Sequence, residues 1–101
     1  MEPDTTGDVT GMLYMVIEHF RDGAAPEIYK RFRERGRMMP DGLKYVASWI
    51  EPNLTRCFQV MEWDDDEALE AWKSHWTDLM EFEVVPVLTS AEVQARMQNF
   101  P

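Results

Sequence analysis

Four short β-forming runs, interrupted by two segments of helical spacing, come in the order strand, helix, strand, strand, helix, strand. Few folds admit that order. The first run, residues 12–20 (MLYMVIEHF), is apolar at almost every position and closes at Arg21-Asp22-Gly23, a turn signal. Pro26 suits the first turn of a helix, where a missing N–H leaves no bond unmade. Ala25, Ile28, Tyr29 and Phe32 keep helical spacing, and Gly36 suits a C-terminal cap. Pro40-Asp41-Gly42 turns the chain into 43–51 (LKYVASWIE). Pro52-Asn53-Leu54 is short enough to join that run to 55–63 (TRCFQVMEW) as a hairpin.

Asp64, Asp65, Asp66 and Glu67 place acids where a helix dipole favours them. Leu69, Trp72, Trp76 and Leu79 continue as an amphipathic stripe. Residues 82–88 (FEVVPVL) read as a fourth strand, with Pro86 marking an edge or a bulge. Thr89 or Ser90 caps a last helix, and Glu92 completes a capping box. The expected class is α+β, a ferredoxin-like βαββαβ domain with a four-stranded antiparallel sheet and a C-terminal helix. Residues 1–11 (MEPDTTGDVTG) read as a mobile tail, residues 12–101 as the single domain, and Met12 as an alternative start.

A chain of 101 residues has the size of one domain, and an apolar fraction of 45% is that of a globular protein. Net charge of −9 argues against nucleic acid and anionic membranes as partners. Lys30, Arg31, Arg33, Arg35 and Arg37 form one local exception. They read as a solvated helix face near a C-terminus, paired with Glu27 and Glu34, or as an anion site completed by a partner. A single cysteine, Cys57, makes no intramolecular disulfide and no paired-cysteine metal site. With no leader pattern and no long apolar run, a cytoplasmic protein is expected.

Strand parity then divides the sheet into two faces. Phe58 and Val60 make a purely apolar pair suited to lie under helices. That puts Cys57, Gln59, Met61 and Trp63 on an open face, where the Gln59 amide escapes unpartnered burial. Tyr45 and Trp49 are assigned to the same open face, with Met15, Ile17 and His19 from the first strand and Glu83 and Val85 from the fourth. Such a face is a large apolar patch that needs covering. Two copies packed sheet to sheet would close it around a cavity fit for a small apolar or aromatic ligand.

Several stretches resemble a known group: Tyr14-Met15-Val16-Ile17-Glu18, Arg31-Phe32, Gly42-Leu43, Ser48-Trp49, Arg56 through Glu62, and Ala68-Leu69-Glu70-Ala71-Trp72. The pattern is similar to the dimeric α+β barrel proteins, which include antibiotic-biosynthesis-monooxygenase-like and haem-degrading families. Over residues 12–90 it looks most like a family of small uncharacterised bacterial domains on that fold. The resemblance implies a homodimer with a central cavity and no assigned reaction. Haem-degrading relatives use a histidine near the end of the second helix as iron ligand. This chain has no histidine after Trp76, and His75 falls too early, so no haem is expected.

The expected ligand-binding residues are Tyr45, Trp49, Cys57, Gln59, Met61 and Glu83, with His19 as the candidate catalytic base. The competing bland readings are a strand-end histidine for His19 and an inert small hydrophobe for Cys57. His75 reads as a helix-surface or interface residue. The acids at 62–66 lack calcium-loop spacing, and neither metal nor cofactor is expected. Three functions remain open. One is a small-molecule-binding or sensing homodimer. Another is a cofactor-independent monooxygenase or isomerase-like enzyme, in which His19 acts as base while Tyr45 and Gln59 orient substrate. The third is a structural or interaction module.

Overall fold

The structure is a computed structural model and describes residues 12–98; the expected tail, 1–11, lies outside the described residues. The elements are β1 (Met12–Phe20), α1 (Ala25–Arg35), β2 (Leu43–Ile50), β3 (Arg56–Trp63), α2 (Asp66–Lys73), β4 (Met80–Pro86) and α3 (Ser90–Met97). The four strands form one antiparallel sheet in the order β2-β3-β1-β4, the ferredoxin-like arrangement expected from the sequence.

Local chemistry explains the boundaries. Pro26 opens α1, and Gly36, at φ 68°, closes it with its N–H bonded to the Phe32 carbonyl at 2.8 Å. The Asp65 carboxylate accepts from the Glu67 N–H at the start of α2. Thr89 and Glu92 form the expected capping box on α3. Pro86 ends β4, an edge strand of the sheet, where a missing donor is tolerated. The apolar stripe outruns its helix: α2 stops at Lys73, and Trp76 is buried from the turns that follow.

The core lies between one face of the sheet and helices α1 and α2. Val16, Leu43, Met61, Trp63 and Met80 pack there against Ile28, Ala68, Leu69, Trp72 and Trp76. Tyr14 stacks on Trp63 with ring centroids 3.9 Å apart. None of the residues of α3 is buried.

The covered face corrects the parity assignment for β3. Cys57, Gln59, Met61 and Trp63 are buried beneath the helices, while Phe58 and Val60 point to the other side. Magnitudes explain the choice. Burying a large side chain such as Met61 or Trp63 is worth roughly 1.5–3 kcal/mol each. An imperfectly bonded amide at Gln59 costs about 1–3 kcal/mol, so the tryptophan, methionine and cysteine outweigh it.

In β2 a bulge does the sorting. Tyr45 stands opposite Met61 and Ala47 opposite Val60, which leaves Val46 without a partner. The extra residue inverts the parity beyond it. Tyr45 therefore faces the helices with Leu43, whereas Trp49 faces away, 58% exposed. The uncovered face consists of Met15, Ile17 and His19 from β1, Ala47 and Trp49 from β2, Phe58 and Val60 from β3, and Glu83 and Val85 from β4. For His19, Trp49 and Glu83 this is the expected side. For Tyr45, Cys57, Gln59 and Met61 it is the opposite one.

Candidate functional site

Parity puts Glu18 on the same side of β1 as Val16, and so under α1. Its antiparallel partner is Cys57 on β3. Between these strands and the helix lies a cavity of about 130 Å³. Phe20, Ile28, Phe32, Trp72, Trp76 and Met80 supply most of its apolar wall. Its polar groups are Glu18, Tyr29, Arg37, Ser48, Cys57 and Gln59.

Glu18 is 7% exposed, and the Cys57 thiol donates to its carboxylate. Burial pushes its pKa up from 4.5 to about 7, against the opposing pull of that bond and of the nearby Arg37 charge. Burial, then the Glu18 charge, raises the Cys57 thiol to about 12. Cys57 is thus a hydrogen-bond donor at neutral pH and not a thiolate nucleophile. Tyr29 is also raised, by burial and by the proximity of Cys57 and Glu18. Gln59 is equally poorly served: its amide N–H donates to the Met61 sulfur at 3.2 Å, a weak acceptor.

Arg37 forms the opposite wall. The chain leaves α1 through Gly36 (φ 68°) and Met38 (φ 59°), two left-handed residues that flank it. The Arg37 carbonyl accepts the indole N–H of Trp72 at 3.0 Å and of Trp76 at 3.4 Å. Its guanidinium carbon sits 3.7 Å from the Tyr45 ring centroid and 5.0 Å from that of Phe32. Tyr45 in turn shares a 2.8 Å hydroxyl bond with Ser48. The rest of the basic cluster is less organised. Arg31 makes a two-pronged bond to Asp78, and not to the Glu27 or Glu34 expected from helical spacing.

The expected site residues are therefore divided. Tyr45, Cys57, Gln59 and Met61 lie on the helix side, with Cys57 and Gln59 lining the cavity itself. Trp49, His19 and Glu83 lie on the far face, where His19 Nε2 is 3.0 Å from Glu83 Oε1 and both side chains are largely exposed. The sheet separates His19 from Tyr45 and Gln59, so those three do not form a catalytic group. Sequence reasoning missed Glu18, and it had Arg37 only as one of a basic cluster read as a solvated helix face or an anion site completed by a partner. The available signal was a lone acid on the β1 parity that carries Val16 and Phe20. Among the described residues no cluster of three or more His, Cys, Asp or Glu side chains is placed to hold a metal ion.

The model of one protein family, Domain of unknown function (DUF3303), matches residues 12–100. The chain belongs to this family. Its match spans every element described above. No curated protein and no solved structure shows a significant match. Among the described residues no helix is long and apolar enough to cross a membrane.

Burial of Glu18 makes stability depend on pH. The unfolded chain releases this proton near 4.5 and the folded chain near 7, so between those values the folded state binds more protons. Stability is then full below the lower value and falls as pH rises through the upper one, by about 3 kcal/mol. Urea unfolding at a series of pH values should show this decline, and Glu18→Gln should flatten it. A wild-type profile rising from pH 5 to 8 would contradict the assignment.

Proposed function

We propose that this chain is a small-molecule-binding domain whose ligand occupies the cavity beneath α1. The observation that carries this reading is the pair Glu18 and Gln59. Both are buried at the cavity wall, and their only side-chain partners among the described residues are sulfur atoms. Buried polar groups in folded proteins are nearly always satisfied, and a ligand would supply what these lack. An apolar cavity with a few convergent polar groups is also the common form of a small-molecule site. The size suits a single ring: an engineered apolar cavity of about 150 Å³ binds benzene.

Trp72 and Trp76 line the cavity and provide the readout. Titration with toluene and with phenol should change their fluorescence saturably and raise the melting temperature with ligand concentration. Ile28→Trp, which fills the cavity, should abolish both effects. No saturable response to either compound would refute the proposal.

A second reading concerns assembly. The uncovered sheet face, with Trp49, Phe58, Val60, Met15 and Ile17, supports a homodimer closed sheet to sheet. This reading sets the protein among the dimeric α+β barrels of the antibiotic-biosynthesis-monooxygenase-like superfamily. A cytoplasmic location agrees with the unpaired, buried Cys57. Unlike the arrangement expected from sequence, the ligand sites then lie within each protomer, and the central contact is mostly apolar. Sedimentation at micromolar concentration should give a dimer for the wild type and a folded monomer for Trp49→Glu combined with Phe58→Glu. A monomeric wild type would end the assembly reading and leave the cavity reading intact.

A further inference from the structure

An arginine and a carboxyl group, Arg37 and Glu18, line the cavity without meeting. Elsewhere on this molecule arginines and carboxylates close up: Arg31 on Asp78 at 2.8 Å, Arg56 on Glu51 at 2.8 Å, Arg21 on Glu81 at 3.3 Å. Among the described residues no carboxylate pairs with Arg37, although it shares a cavity with Glu18. The Arg37 guanidinium lies over the Tyr45 and Phe32 rings and makes no side-chain hydrogen bond among the described residues, which leaves its N–H donors available. Across the cavity, the Glu18 carboxylate retains acceptor capacity beyond its one thiol bond.

We propose that the cavity selects neutral, ring-sized molecules that donate a hydrogen bond to Glu18 and offer an acceptor to Arg37. The inference rests on the binding function proposed above and names its ligand class: a small planar hydroxy-carbonyl compound or a close equivalent. Neutrality follows from the two walls. Above the Glu18 titration, a cationic ligand would meet Arg37 and an anionic one Glu18, each as a like charge. An uncharged donor and acceptor on one ring satisfies both walls and adds no charge to be desolvated. The apolar remainder of the ring meets Ile28, Phe32 and Trp76.

Toluene, phenol and 3-hydroxybenzaldehyde dissect the claim, because the first two have nearly the same shape. Affinities are read from tryptophan fluorescence at about pH 8, above the Glu18 titration. For the wild type, phenol should bind about tenfold or more tightly than toluene, the range of a hydrogen bond to a charged group. The added carbonyl of 3-hydroxybenzaldehyde should tighten binding several-fold again. Glu18→Leu should erase the advantage of phenol over toluene, and the near-isosteric Glu18→Gln should reduce it. Arg37→Met should erase only the gain from the carbonyl. If toluene binds the wild type as tightly as phenol does, the ligand class is wrong while the cavity remains a binding site. If none of the three binds, the binding function falls, and this inference with it.

Discussion

Two indole N–H groups converge on one carbonyl, that of Arg37, and the arrangement of the site depends on it. Trp72 belongs to α2 and Trp76 to the turns after it, whereas Arg37 follows the end of α1. Their shared acceptor ties the two helices together on one face of the sheet. Buried indole donors without a partner would each cost about 1–3 kcal/mol, so the carbonyl has to be presented to them. Presenting it demands the left-handed turn at Gly36 and Met38. That turn brings the Arg37 side chain over Tyr45, to the wall facing Glu18.

Glu18 introduces a conflict that packing alone does not resolve. A carboxyl group in this position favours its neutral form, and the Cys57 thiol and the Arg37 charge only partly offset that preference. Gln59 beside it settles for a thioether. An aliphatic pair at these two positions would make a more stable core. Among the described residues the buried polar side chains are these two, and both line the cavity. The far side of the sheet follows a different logic. Its polar groups pair in solvent, as His19 does with Glu83, and its apolar groups form a continuous surface.

Element order and most boundaries were legible because they depend on local chemistry. Pro26 and Gly36 bracket α1, the first apolar run is β1 residue for residue, and the Thr89–Glu92 box opens α3. The faces were less legible. β3 alternates two sets of side chains, either of which can serve as a core. The winning set was decided by the volume of Trp63 and Met61, not by the polarity of Gln59. The bulge at Val46 carries no glycine or proline to announce it, yet it places Tyr45 and Trp49 on opposite sides. Glu18 stood in the sequence only as the end of the run Tyr14–Glu18, since its surroundings are made by α1, by Cys57 on the neighbouring strand and by Arg37 from beyond the helix. None of those contacts is local in sequence.

All of this rests on a carboxyl group held away from water beside Cys57 and across from Arg37. Side-chain carbon NMR reads its ionisation directly, through the chemical shift of the Glu18 carboxyl carbon as pH is varied. The expected inflection lies at about 7. An inflection at the ordinary value of 4.5 would mean a solvated carboxylate, and with it no buried acid at the cavity under α1.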